Sequence, residues 1–81
     1  MASDDIKNII TALQDLKDDQ TVPKNVRARL VQIIEILQSD LEPSIKVNKA
    51  LDELDDIQSD ANLQSFTRTQ IWNIASLLET V

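Results

Sequence analysis

Shifted by 41 residues against itself, the chain lays apolar residue on apolar residue along two helical stripes. No other feature restricts its fold as much. Ile6, Ile9, Ile10, Leu13 and Leu16 fall on Val47, Ala50, Leu51, Leu54 and Ile57, while Val22, Leu30, Ile33, Ile34 and Leu37 fall on Leu63, Ile71, Ile74, Ala75 and Leu78. Spacings of three and four residues mark one face of a helix, so each unit reads as a helix pair. Only seven of the 40 aligned pairs are identical (Ser3/Ser44, Leu13/Leu54, Asp15/Asp56, Asp19/Asp60, Arg27/Arg68, Ile33/Ile74 and Leu37/Leu78). The pattern recurs more than the residues do.

Punctuation divides the pattern into four helices, expected at residues 3–17, 22–38, 44–58 and 63–80. Ser3, Thr21, Ser44 and Asn62 are the expected N-caps, because a short polar side chain there can accept an orphan backbone N–H. Asp4 and Asp5 suit the positive end of the first helix dipole. Pro23 fits a first turn, where its missing N–H costs nothing. Pro43 disfavours helical geometry at Glu42, which ends the second helix near Ser39. No stretch alternates with period two, so strands are not expected. The fold class is therefore all-α: one domain over 1–81, with units at about 3–40 and 44–81, each an antiparallel α-hairpin. The hairpins are expected to associate as a bundle about a pseudo-two-fold or as a HEAT-like stack.

The absences exclude chemistry. The chain has no Cys, no His and no Gly. Thiolate ligands and nucleophiles, the commonest general base and the glycine-rich phosphate loops are all missing. No Ser or Thr has a His to activate it, so no catalytic, metal or cofactor site is expected and the protein reads as a non-enzyme. Eight basic residues against 14 acidic ones give a net charge of −6, which argues against nucleic acid as partner. No apolar run approaches the roughly 20 residues of a membrane span. The opening MASDDIKN lacks the basic-then-apolar layout of a signal peptide, and a cytoplasmic location is expected.

Two clusters of charge and one set of apolar residues stand out. Asp52, Glu53, Asp55, Asp56 and Asp60 crowd the end of the third helix, where the dipole disfavours negative charge. A calcium loop would need a glycine and a break in helical spacing; Leu54 and Ile57 keep that spacing, so a solvated face is expected. Lys24, Arg27 and Arg29 gather at the start of the second helix. They are expected to pair structurally, with Asp18 and Asp19 in the adjacent turn and with Arg27 reaching the neighbouring unit. The alternative is a site for a small anion or nucleotide at the helix N-terminus. The second helix of each pair is apolar over more than half its circumference. Trp72 and its counterpart Val31 hold one flank, and Ile36 and Leu77 the other. Such a helix packs on two sides, and Trp72 is expected inside the chain's own core. Should a flank instead meet a second subunit, Val31, Ile36, Phe66, Trp72 and Leu77 are the candidate contacts. A homodimer is the expected assembly, because repeats bury their faces only against neighbours.

Two resemblances add to this reading. A unit of about 40 residues with two helices is the size of a HEAT repeat. An Asp in the turn followed by Val-Arg in the second helix resembles that motif at Asp19, Val26 and Arg27. The second unit keeps Asp60 and Arg68 but has Thr67 where Val26 stands. Over the whole chain, the length, TVPKNVR after an Asp-rich turn, and the closing TRTQIWNIASLLE resemble a family of small uncharacterised archaeal proteins. That resemblance implies an archaeal, four-helix, cytoplasmic protein and says nothing of its chemistry. The function that residues and resemblance together favour is a protein–protein interaction module of an archaeal cytoplasmic complex.

Overall fold

A computed structural model of the chain describes residues 2–60 and 62–80. It consists of four helices, α1 (Ala2–Lys17), α2 (Lys24–Gln38), α3 (Pro43–Gln58) and α4 (Ser65–Glu79). At 1.5 Å per residue each spans about 24 Å, and together they fill a body of 32 × 19 × 19 Å.

The helices pack in a ring. α1 meets α2, α2 meets α3, α3 meets α4, and α4 closes back on α1; the backbones of the diagonal pairs α1/α3 and α2/α4 stay further apart. This decides between the two expected arrangements. A HEAT-like stack sets first helix on first helix and second on second, whereas here each first helix lies between two second helices. The chain is a closed four-helix bundle with short connections, which force sequential helices to run antiparallel. Closure also answers the burial problem, since each apolar stripe faces the other three across one shared core.

That core follows the sequence pattern. Ile9/Ala50, Leu13/Leu54, Leu16/Ile57, Val22/Leu63, Leu30/Ile71, Ile33/Ile74 and Leu37/Leu78 are all buried, each pair 41 residues apart. Val26 is buried as well, and its counterpart Thr67 is the one buried polar residue among those described. Thr for Val keeps the branched shape, so the motif departure at Thr67 leaves the packing position intact.

The expected N-caps are corrected. α1 already begins at Ala2, so Ser3 lies within it. Pro23, Glu42 and Gln64 occupy the N-cap positions of the other three helices, none with a capping side chain. Pro43 supplies the first residue of α3, where its fixed φ suits a helix start, and Ser44 follows it inside the helix. Thr21 and Asn62 sit in the preceding turns. Helix ends are managed without glycine: no described residue has positive φ. Ser39, Ser59 and Thr80 donate their hydroxyls back to the carbonyls of Ile36, Asp56 and Leu77 at 2.6, 2.6 and 2.8 Å. Each hydroxyl adds a second bond to a carbonyl that already accepts the N–H of the same residue, so the last turn closes without a left-handed glycine.

Candidate functional site

The polar residues at the turn end of the bundle hold the fold. Asp19 accepts the N–H and hydroxyl of Thr21 on one oxygen, at 2.9 and 2.7 Å. Asp60 accepts the N–H of Asn62 at 2.8 Å and, on its other oxygen, the Asn25 amide at 2.9 Å. In each turn the residue before the N-cap region, Val22 or Leu63, returns its N–H to the same aspartate's carbonyl and drops its side chain into the core. The hydrogen bonds hold both carboxyls below their ordinary value of 3.8. The backbone N–H of Thr21 is foremost for Asp19 and that of Asn62 for Asp60, with Arg27 and Arg68 adding charge. A general acid would need the opposite shift.

The basic trio does not converge. Arg27 donates to the carbonyls of Val22 and Gln20 at 3.1 and 3.3 Å, fastening the α1–α2 turn. Arg68, 41 residues on, donates to the carbonyl of Asp60 at 3.0 Å in the α3–α4 turn. Arg29, rather than Arg27, reaches the neighbouring hairpin, pairing with Glu53 at 3.4 Å and Asp56 at 3.2 Å on α3. Lys24 is exposed and makes no ion pair among the described residues. Two of the three cations thus face structural partners. Beside the turn aspartates, Lys17 pairs with Asp18 at 3.8 Å.

The acidic run divides by helical phase. Glu53 and Asp56 turn toward α2 and Arg29, and Asp60 belongs to its turn. Asp52 and Asp55, three residues apart and so on one face, turn toward α4 and have no ion pair or hydrogen bond among the described residues. They line a groove of about 420 Å³ between α3 and α4, together with Leu51, Gln58, Trp72, Ala75, Ser76 and Glu79. The three carboxylates do not gather closely enough to ligate one metal ion; no described group of acidic residues does.

The apolar flanks depart from expectation. Trp72 is 61% exposed and lies outside the core, as do Phe66, 64% exposed, and Leu77, 53% exposed, on the other flank of α4. Closure of the ring leaves each helix only two neighbours, and an apolar arc wider than those contacts must face water. Val31 on α2 is 38% exposed, and Ile36 is half-buried. The five candidates do not form one surface, since α2 and α4 are diagonal. On α4 itself the flanks part: Trp72 lines the α3 groove, whereas Leu77 borders a smaller hollow of about 190 Å³ with Asp5, Asn8, Ile9 and Thr80. Sequence reasoning passed over Glu79 and the pairing of Asp52 with Asp55. The signal was present in phase, because Trp72, Ser76 and Glu79 fall four and three residues apart on one side of α4.

Comparison with known proteins places this bundle. The model of an uncharacterised protein family, UPF0147, matches residues 1–81. A UPF0147 protein of Sulfurisphaera tokodaii is 40% identical over 77 residues, covering 94% of this chain and 86% of that relative. One from Methanosarcina mazei is 36% identical over 81 residues, covering 99% and 87%. The crystal structure of a protein of unknown function, MMP1188, is similar with a TM-score of 0.96 and 39% identity, over all of this chain and 93% of that one. The chain belongs to the UPF0147 family of uncharacterised archaeal proteins.

Proposed function

We propose that this UPF0147 protein is a non-enzymatic protein–protein interaction module of a cytoplasmic complex, binding through α4. The observation that carries the reading is the exposure of Trp72, Phe66 and Leu77 on a bundle whose core is already closed without them. Large exposed apolar side chains, here on two flanks of one helix, are candidate contact points, and tryptophan is enriched where binding energy concentrates. The lack of His and Cys supports a role without catalysis. No described helix is long and apolar enough to cross a membrane. The anion-binding alternative loses support from geometry, because Arg27 and Arg29 already serve a turn and an inter-helix pair.

The test is positional. A photo-crosslinking residue placed at 66, 72 or 77 in the native host is expected to form protein adducts, while the same residue at exposed Ala28, on the diagonal helix, forms none. Equal labelling from 28, or no adduct from any α4 position, overturns the reading.

Self-association is a second proposal, favoured by the flank of α4 that bears Phe66 and Leu77. These two lie eleven residues apart, about 20° from each other around the helix at 3.6 residues per turn, and could meet a two-fold copy of themselves. Light scattering across a dilution series is expected to show twice the 9.1 kDa chain mass, reverting to monomer in Phe66→Ser. A mass of one chain throughout removes the dimer.

A further inference from the structure

We propose that the α3–α4 groove is the docking site for a basic segment of a protein partner. Lysine or arginine side chains of that segment would lie over Trp72 and beside the carboxylates of Asp52, Asp55 and Glu79 along the groove. The proposal rests on the reading of α4 as an interaction surface and specifies the chemistry of the partner.

Charge sorting on α3 is the first support. Arg29 takes Glu53 and Asp56, and Asn25 and Asn62 take Asp60. Asp52, Asp55 and Glu79 face one groove with no cation among the described residues. Asp55 stands in the last turn of α3 and Glu79 at the end of α4, where the helix dipoles disfavour negative charge, and Asp52 adds like charge three residues before Asp55. A positive guest relieves both. The carboxylates do not gather to ligate one metal ion, and their spacing along the groove suits a segment with more than one guanidinium or ammonium group, each donating to its own carboxylate. Trp72 presents an exposed aromatic face at the same place, and a cation over an indole is the strongest of the cation–π pairings. Leu51 and Ala75 complete the lining with apolar surface against which the methylene stem of a long basic side chain can lie.

The first hairpin supplies an internal control. Forty-one residues back, Asp52, Asp55 and Glu79 become Thr11, Gln14 and Gln38; Trp72 becomes Val31, Ala75 becomes Ile34, and Gln58 becomes Lys17. The first hairpin builds the same helix pair with neutral groups at all three carboxylate positions. Its larger Ile34 is buried where Ala75 is only half-buried. The scaffold therefore requires neither the tryptophan, nor the carboxylates, nor the small residue at 75. Their joint presence in the second hairpin calls for a cause other than packing.

The experiment titrates the full chain with a short Lys/Arg-rich peptide, with neutral and Glu-rich peptides of equal length, and with spermine. Binding is followed by Trp72 fluorescence, specific because the chain has one tryptophan, and by calorimetry. The basic peptide alone is expected to bind and shift the emission, with affinity falling as salt rises. The triple variant D52N/D55N/E79Q should bind at least about tenfold more weakly, while E35Q in the first hairpin binds as the parent does. Circular dichroism of each variant checks that the helices are retained. Spermine binding as tightly as the peptide would assign the groove to a free polyamine and overturn the proposal. An unchanged emission with the basic peptide, or equal binding by the triple variant, would overturn it too. If the crosslinks from position 72 persist in that case, the interaction reading stands and only this partner chemistry falls.

Discussion

The two hairpins share an interior and differ at the surface. Residues 41 apart fill matching core positions, matching aspartates close the turns, and matching arginines fasten them. Ser39 and Thr80 end α2 and α4 with the same hydroxyl-to-carbonyl bond. The outer faces diverge. The α1–α2 side carries Val31 with neutral Thr11 and Gln14, and the α3–α4 side carries Trp72 with Asp52 and Asp55. The seams differ as well. Arg29 ties α2 to α3, but at the α4–α1 seam the corresponding residues are Gln70, Ala12 and Asp15, which cannot form that pair. What packing and turn geometry demand is kept in both hairpins; where neither constrains the side chain, the two part.

The sharpest challenge to this likeness is in the core. Leu13 and Leu54 are both fully buried, so Leu13→Ala and Leu54→Ala should each cost about 2–5 kcal/mol. Urea unfolding should give the two variants similar losses, and a large inequality would mean that the hairpins are not equivalent inside.

The turns come next. Arg27→Ala removes two bonds from a part-buried guanidinium and should cost about 1 kcal/mol. Arg68→Ala removes one exposed bond and should cost less; the reverse order would break the comparison.

Acid should read the same turns. Asp19 and Asp60 have depressed pKa values in the fold, so the unfolded chain binds their protons more readily. The stability they supply is present in full above the ordinary value of 3.8 and is lost as pH falls through it and below. Asp19→Asn and Asp60→Asn should each flatten that acid limb in denaturation followed from neutral pH downward. A parent limb that neither variant alters would remove both aspartates from its cause.

The smallest effect concerns the seams. Gln70→Arg supplies the cation missing between α4 and α1, opposite Asp15. It should raise stability by about 0–1 kcal/mol at low ionic strength, and the gain should vanish in high salt. A gain that survives high salt would mean that packing, and not charge, distinguishes the seams.

Much of this fold was legible as pattern. The four helices fall within a few residues of their expected limits, because apolar spacing and the prolines mark them independently of context. The caps were misplaced for a local reason. Thr21 and Asn62 are good capping residues, but they lie in turns in which Asp19 and Asp60 accept their N–H groups, and the helices start later, at Lys24 and Ser65. Trp72 was misassigned for a tertiary reason. A helical wheel shows how wide an apolar arc is, yet not how many neighbours will cover it. The groove was half legible: Asp52 and Asp55 were seen within one acidic run and Glu79 was not, and only the position of Arg29 separates Glu53 and Asp56 from the two that face the groove.

By itself, then, the sequence determined the helices, the identity of the core and the exclusion of thiol, imidazole and glycine-loop chemistry, because these depend on residue type and short-range spacing. Only the tertiary structure decided that the hairpins close into a ring instead of stacking, that Arg29 pairs with α3, and that Trp72 faces water beside three carboxylates. Those outcomes depend on which helix becomes whose neighbour. The apolar stripes of the four helices are alike enough to satisfy either arrangement, and the choice is made by burying all of them at once in a chain of 81 residues.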